Sequence, residues 1–225
     1  NIPANVVTIG NNAFAGCTSE TTLTFASGTK CKTIGNNAFK NNTALTAINI
    51  PNTVETIGES AFENCSNATS LILSTNAKYT LISASAFKGC SKIQAINIPA
   101  NIVTIGNSAF EGCTSATTLI FAQNSNCVSI GNSAFKNNSS IVAIVLPNKL
   151  VTIGNNAFEN CSAAMRAILS DSVKTIGTAA FSGCSAMEVL VLGQSLAEIK
   201  LSAFDGCSAL KAVYYNKSIN DWFNL

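Results

Sequence analysis

The chain has 225 residues, of which 47% are apolar and 11% charged, and its formal net charge is +2. It is too apolar for a disordered chain, and its balanced charge predicts no binding to nucleic acid or to an anionic membrane surface. The sequence contains no histidine, which excludes histidine-based catalytic triads and imidazole metal ligands. No apolar run approaches the ~20 residues of a spanning helix, so we expect no membrane insertion in this segment. The first residues, Asn1-Ile2-Pro3, begin inside a sequence motif, which predicts a mature segment of a longer protein.

The dipeptide Ala-Phe recurs nine times along the chain, at intervals of 23 or 25 residues. An isoleucine stands five residues before each phenylalanine, and glycine follows it except in two repeats, which have Ser83 and Lys200 instead. A position that required a positive φ would tolerate neither residue well, so we interpret this glycine as favoured by close packing as much as by backbone conformation. The phenylalanines are Phe14, Phe39, Phe62, Phe87, Phe110, Phe135, Phe158, Phe181 and Phe204.

Each repeat is predicted to form a strand, a loop and a short helical turn. In the second repeat the strand contains Leu45, Ile48 and Ile50, and it ends at Pro51 because proline cannot donate to a strand ladder. The segment around Ala38-Phe39 is rich in Asn, Ala and Lys, which favours one turn of α- or 3₁₀-helix. A unit this small cannot bury its own apolar face, so the repeats must stack on one another as a solenoid.

The residues from Ile50-Pro51 through Cys65 to Leu71 resemble the BspA-type, or Treponema pallidum-type, leucine-rich repeat. The resemblance implies an α/β leucine-rich-repeat solenoid, a right-handed superhelix of about nine repeats of 23–25 residues. It implies a parallel sheet on the concave face, with short helical turns and loops on the convex face. Known members are mostly secreted or surface-attached proteins of bacteria and some protists, and several are adhesins for host matrix or microbial proteins. Secretion or attachment to a cell surface is therefore expected here.

We divide the chain into a leucine-rich repeat domain at residues 1–215 and a C-terminal cap at 216–225. Within the first, residues 2–74 match residues 98–170 at 46 of 73 positions with an offset of 96, which indicates a duplicated block of four repeats. The piece from Val213-Tyr214-Tyr215 to Asp221-Trp222-Phe223 breaks the pattern and resembles the endings of bacterial family members. Its aromatic residues should cover the last repeat, whereas the first repeat begins with its core face uncapped.

Nine cysteines suggest disulfides or a metal site, but their register argues against both. Cys31 and Cys127 stand where most other repeats have a core aliphatic residue. The other seven stand three residues after the phenylalanine, where two repeats have Asn42 and Asn138 instead, and this interchange suits a buried turn. We expect most thiols to be buried, reduced and inert, and we expect no metal site because the CxxC spacing is absent. The seven are Cys17, Cys65, Cys90, Cys113, Cys161, Cys184 and Cys207.

Two surface features are predicted to be structural. The residue after the phenylalanine alternates in sign from Lys40 to Glu159, so cations should face anions of neighbouring repeats, in exposed pairs worth about 0–1 kcal/mol each. Three repeats carry two extra residues after the strand, at 26–30, 74–78 and 122–126, and these loops should project along one rim. Loops on a rigid scaffold often carry function, but these are small and polar, and a direct ligand role is the alternative.

The concave sheet is predicted to expose a ladder of apolar side chains. Because alternate residues of a strand point to opposite faces, the third and fifth positions of each Leu-x-x-Ile-x-Ile strand should face solvent. Contiguous exposed apolar surface usually marks an interaction site, although strand propensity alone could also place β-branched residues there. The predicted protein-binding residues are Ile120, Val145, Arg166, Ile168, Val189, Val191 and Tyr214.

These patterns predict a non-enzymatic protein-binding module with no catalytic, cofactor or metal residues. The paired carboxylates Glu59 and Glu63 lack a nucleophile–base constellation, and the sequence has no glycine-rich phosphate loop. The predicted function is adhesion to a host matrix or microbial surface protein through the concave sheet. The alternative is a structural spacer, or a self-associating scaffold of a larger surface protein.

Overall fold

Successive repeats contribute short parallel strands to two rows that run along the solenoid. The structure, a computed structural model, describes residues 1–215. The strands, numbered in chain order, are β1 (Thr8–Ile9), β2 (Thr33–Ile34), β3 (Ala47–Asn49), β4 (Thr56–Ile57), β5 (Ser70–Ile72), β6 (Leu81–Ile82), β7 (Ala95–Ile98), β8 (Thr104–Ile105), β9 (Thr118–Phe121), β10 (Ser129–Ile130), β11 (Ala143–Val145), β12 (Thr152–Ile153), β13 (Arg166–Ile168), β14 (Thr175–Ile176), β15 (Val189–Leu192), β16 (Glu198–Ile199) and β17 (Ala212–Tyr215).

The longer strands form the row that the sequence predicted, here called the main sheet: β3, β5, β7, β9, β11, β13, β15 and β17. The others form a second row, here called the side sheet, which the sequence analysis did not predict. A side-sheet strand has only two residues, such as Thr33–Ile34 of β2, paired in register with Thr56–Ile57 of β4. Two residues are too few to show a period of two, so the side sheet gave no alternation signal.

The prediction of an α/β fold with helical turns was wrong, because residues 1–215 contain no helix. The residue two before each phenylalanine and the residue two after it have positive φ, as Asn37 (54°) and Asn41 (61°) do around Phe39. Left-handed residues at this spacing interrupt a right-handed helix. The Phe39 N–H therefore donates to the Ala61 carbonyl of the next repeat at 2.7 Å, and the Lys40 N–H donates back to the Asn37 carbonyl at 3.1 Å. These turns are thus bonded alternately within and between repeats.

The repeat phenylalanines form one continuous stack through the core. Successive rings have centroids 5.1–5.6 Å apart and lie within 11° of parallel. The rings from Phe62 to Phe181 are fully buried, whereas Phe14 at the N-terminal end is 38% exposed. A cavity of about 300 Å³, lined by Phe14, Leu23 and Leu45 among others, lies at this end. The solenoid has about nine turns, and the cap predicted at 216–225 lies outside the described residues.

The glycine after the repeat isoleucine is selected by packing. None of these glycines has a positive φ. A Cβ on Gly154 would lie 2.6 Å from the backbone carbon of Gly131 and 2.7 Å from the Asn132 nitrogen. In the exceptional fourth repeat the Ser83 hydroxyl donates to the Ile57 carbonyl of the preceding repeat at 2.6 Å. The structure therefore confirms the packing interpretation of this position.

The main sheet is continuous only where successive repeats are 23 residues apart. Strands β11, β13, β15 and β17 form one four-stranded sheet, whereas β3–β5 and β7–β9 form separate pairs. The breaks precede β7 and β11, where the loops 74–78 and 122–126 add two residues. At the second break a backbone bond from the Val142 N–H to the Thr117 carbonyl, at 3.1 Å, still joins the repeats just ahead of the strands. The inserted residues therefore open the C-terminal ends of neighbouring strands.

Candidate functional site

The outward face of the main sheet carries the predicted ladder of side chains. In β11 the residue Ile144 is fully buried, whereas Val145 after it is 45% exposed. The same alternation places Ala167 and Leu190 in the core and leaves Ile168 and Val191 half-buried on the outer face. The orientation expected from strand periodicity is therefore the one observed.

Strand register brings four of the apolar residues into one row. Val145 pairs with Ile168, Ile168 with Val191, and Val191 with Tyr214, which is 59% exposed. Ile120, 54% exposed, lies on β9 and pairs with Asn97 on the other side of the break in the sheet. The structure thus places Val145, Ile168, Val191 and Tyr214 on one continuous sheet and Ile120 beside it.

Two further exposed apolar residues lie just ahead of strands of this sheet and were missed from the sequence. Val142 and Met165 immediately precede β11 and β13, and Met165 is 51% exposed. The first five repeats have Thr or Gln at this position, namely Thr21, Thr46, Thr69, Gln94 and Thr117. A comparison of this position along the chain would have shown the change to apolar residues. We call the third- and fifth-position residues Val145, Ile168, Val189, Val191 and Tyr214 the apolar face.

Arg166 is the charged residue on this face. It pairs in register with Ala143 on one side and Val189 on the other, and its side chain is exposed. No hydrogen bond or ion pair joins the Arg166 side chain to any residue within 1–215. The carboxylate of Glu188, next to Val189, instead accepts a bond from Lys211 at 2.8 Å.

A cleft of about 690 Å³ lies where β9 and β11 separate. It is lined by Phe121, Val145 and Pro147, by polar residues of the loop 122–126, and by Lys149. Of the three longer loops, this one therefore borders the apolar face. That the loops are structural stays a prediction, with a direct role in binding as the alternative.

The cysteines of residues 1–215 are all free, and seven are buried while Cys17 and Cys207 are partly exposed. The prediction of buried, unpaired thiols is confirmed for those seven. Burial raises the pKa of Cys113 to about 12 and likewise that of Cys127. A thiol becomes nucleophilic only as its thiolate, so these residues are poor nucleophiles at neutral pH. Within the described range, no group of three or more Cys, Asp or Glu residues could hold a metal ion.

The alternating charges form ion pairs as expected. Each lysine that directly follows a repeat phenylalanine pairs with the glutamate of the following repeat. The N–O distances are 2.7–3.0 Å in Lys40–Glu63, Lys88–Glu111 and Lys136–Glu159. Glu63 is therefore held in an ion pair.

Among the described residues no helix is long and apolar enough to cross a membrane.

Comparisons with known proteins agree with this geometry. The crystal structure of the pneumococcal vaccine antigen PcpA is similar over 97% of this chain and 68% of its own, with TM-score 0.57 and 20% identity. The leucine-rich repeat protein of T. pallidum is similar over 82% of this chain and 74% of its own, with TM-score 0.56 and 23% identity. A comparison with curated protein sequences gives no match. The family model of the BspA type leucine rich repeat region, which contains six copies, matches residues 1–117 and 116–224. The chain therefore belongs to the BspA-type leucine-rich repeat family.

Proposed function

We propose that the chain is a non-enzymatic protein-binding module, secreted or held at a cell surface, that takes its partner on the apolar face. Leucine-rich repeat proteins generally act as protein-interaction modules and are typically not enzymes. The observation that carries the proposal is the paired row of Val145, Ile168, Val191 and Tyr214 on a continuous four-stranded sheet.

The side sheet supplies the comparison that favours binding over strand propensity. Its outward residues are mostly threonine, namely Thr8, Thr33, Thr56, Thr104, Thr152 and Thr175. Threonine is β-branched and forms strands readily, yet it exposes a hydroxyl to water. Strand propensity in this solenoid is therefore satisfied by a polar residue, and it does not require the apolar residues of the main sheet.

The extent of the apolar face also favours an interaction site. Neighbouring strands lie about 4.8 Å apart, so four apolar rungs with their flanking residues cover several hundred Å². Exposed apolar patches of that size usually mark binding surfaces. A spacer between domains needs no such surface, and this is why the structural alternative takes second place.

The family supports the proposed setting and partner class. Known proteins with BspA-type repeats are mostly secreted or surface-attached, and several of them bind host matrix or microbial proteins. Among the similar structures, PcpA is itself described as a pneumococcal vaccine antigen. Adhesion to a host matrix or microbial surface protein is the activity that we propose for this chain on these grounds.

The double variant Ile168→Asn/Val191→Asn tests the proposal. The main sheet already has asparagine at this register in Asn49 and Asn97, so the fold should survive. Leu81→Thr is the matched control, because Leu81 is an exposed apolar residue of the side sheet, 47% exposed, at a position where its neighbours are threonine. Binding is measured on a panel of immobilised matrix glycoproteins, and self-association by analytical ultracentrifugation.

The double variant should lose binding with an unchanged melting temperature, while Leu81→Thr should bind as the parent does. Equal binding by the parent and the double variant would place the partner elsewhere, with the loops 26–30, 74–78 and 122–126 next to be changed. Loss of a parental dimer in the double variant would favour the second candidate, a self-associating scaffold that uses the same face.

A further inference from the structure

Arg166 differs from every other outward residue of the main sheet. The third and fifth strand positions from Ala47 to Tyr214 otherwise carry apolar side chains or the neutral polar ones of Asn49, Ser70, Asn97 and Thr118. No carboxylate occupies either position in any strand of the main sheet. The guanidinium is therefore the single charge at the outward strand positions, whereas the mutually paired Glu188 and Lys211 lie just ahead of β15 and β17.

The surroundings of Arg166 are apolar on three sides. Ala143 and Val189 are its register partners on the neighbouring strands, and Ile168 follows it on the same face of β13. Met165 precedes it and is exposed. A partner that covers Val189 and Ile168 together also covers the strand position of Arg166 and removes water from its guanidinium.

Desolvation sets a requirement on that partner. A buried charge without a partner costs several kcal/mol, and the guanidinium has five N–H donors in a planar fork that suits a carboxylate with two parallel bonds. The partner must therefore bring an acceptor, and an anionic one is the strongest.

We propose that the apolar face binds a protein segment in which an aspartate or glutamate, flanked by apolar side chains, pairs with Arg166. This inference rests on the function proposed above and names the chemistry of the partner. The apolar side chains of the segment cover Val145, Ile168 and Val191, and its carboxylate lies over β13.

A second copy of this face does not meet the requirement. Two main sheets stacked on one another would bring no carboxylate from an outward strand position to Arg166. Glu188, which precedes Val189 on the neighbouring strand, is already bound by Lys211 at 2.8 Å. A self-associated pair would therefore bury two guanidinium groups without new partners, which disfavours the second copy as occupant.

The experiment selects a displayed random-peptide library on the 225-residue chain and sequences the peptides that bind. Selected peptides are then measured against the parent, Arg166→Glu, Arg166→Lys and Ile168→Asn/Val191→Asn. Lys174→Glu is the matched charge control, because Lys174 lies in the same repeat but precedes the side-sheet strand β14, and its net-charge change is the same. Melting temperatures confirm that each variant is folded.

Bound peptides should be enriched in Asp or Glu next to apolar residues. Arg166→Glu should weaken the binding of these peptides roughly 30-fold or more, since breaking a desolvated charge pair has effects of that order. Arg166→Lys should weaken peptide binding less, and Lys174→Glu should leave peptide binding unchanged. Replacing the peptide carboxylate by lysine should restore binding to Arg166→Glu.

Two kinds of failure are distinguishable. Peptides that require Ile168 and Val191 but are neutral, or bind Arg166→Glu as well as the parent, overturn the carboxylate inference and leave the binding face intact. Selection that yields no peptide sensitive to Ile168→Asn/Val191→Asn contradicts the proposed function and this inference together. A sulfated polysaccharide that binds through Arg166 independently of Ile168 and Val191 would also overturn the inference.

Discussion

The Cys90 thiol donates a hydrogen bond to the Phe62 carbonyl of the preceding repeat, with an Sγ–O distance of 3.1 Å. The same bond recurs along the column, for example from Cys113 to the Phe87 carbonyl at 3.4 Å. The Cys90 thiol is a second donor to its carbonyl, because the Phe62 carbonyl also accepts the Cys65 N–H of its own repeat at 3.2 Å. A sulfhydryl fits this place because it is small, mostly apolar and still able to donate. Cysteine in this family position is thus a packing residue that also holds adjacent repeats together.

The buried thiols predict a loss of stability in alkali. Burial raises the pKa of Cys113, Cys127 and Cys184 from 9.0 to about 12. Between those values the unfolded chain loses the thiol proton while the folded chain keeps it. The unfolded state therefore binds fewer protons, and the free energy of unfolding must fall as the pH rises from about 9 toward 12. Urea titrations at stepped pH values measure the slope.

Cys127→Val separates this thiol from the other alkaline effects. The neighbouring repeats have Ile102 and Leu150 at the same position, so valine should fit with a change within about 1.5 kcal/mol at pH 7. The variant should lose less stability than the parent between pH 9 and 12. An unchanged alkaline slope would mean that Cys127 does not titrate with a raised pKa.

The phenylalanine stack predicts a strong dependence on position. Phe110 is fully buried between Phe87 and Phe135, with centroids 5.4 Å from each. Phe110→Ala should lower the free energy of unfolding by about 3–5 kcal/mol, because the cavity lies between two repeats that cannot collapse onto it. Phe14→Ala, in the 38% exposed end ring, should cost clearly less. Chemical denaturation of both variants provides the comparison, and equal losses would contradict a cooperative stack.

Close packing between repeats predicts that alanine destabilises at one of two equivalent glycines and is neutral at the other. Gly154→Ala would place a Cβ 2.6 Å from the Gly131 backbone, and backbone cannot move aside without separating two turns. We expect a loss of about 1–3 kcal/mol, the range for overpacking. Gly10 has nothing within 4 Å of the same position, so Gly10→Ala should be neutral within about 0.5 kcal/mol. If both changes were tolerated, the packing interpretation would fail.

Several features were predictable because they repeat with the chain. One repeat period predicts the spacing that places Phe110 and the glycine before it, and strand alternation predicts the outward position of Val145. The conformation of the turn was not predicted correctly. The composition around Ala38-Phe39 favoured a helix, whereas Asn37 and Asn41 adopt positive φ. The recurrence of Asn, Ser or Gly at those two positions was the available signal, since Asn and Gly adopt αL conformations most readily.

Other features depended on distances that no period encodes. The break in the main sheet before β11 arises from two extra residues, but its position became visible only from strand pairing. Tyr79 fills a core position that most other repeats give to aliphatic residues, and its buried hydroxyl has no hydrogen-bond partner among the described residues. Whether Arg166 has an ion-pair partner could likewise be learned only from the structure, in which Glu188 pairs with Lys211.

Ala179 offers a test of the turn geometry itself. It has φ 52°, at the position that the preceding repeat gives to Asn156 with φ 57°. An alanine Cβ in the αL region costs about 1–2 kcal/mol, and glycine lacks this cost. Ala179→Gly should therefore stabilise the protein by up to about 1 kcal/mol, after allowance for the extra backbone entropy that glycine has in the unfolded chain.

The adjacent residue provides the control for that change. Ala180 is fully buried and is not among the positive-φ residues, so Ala180→Gly removes a packed methyl group and gains no conformational relief. It should destabilise the protein by about 1 kcal/mol or more. Thermal and urea unfolding of both variants measure the two effects. Opposite signs for these neighbouring alanines are expected if the residue two positions before Phe181 is left-handed, whereas a loss of stability in Ala179→Gly would contradict this turn geometry.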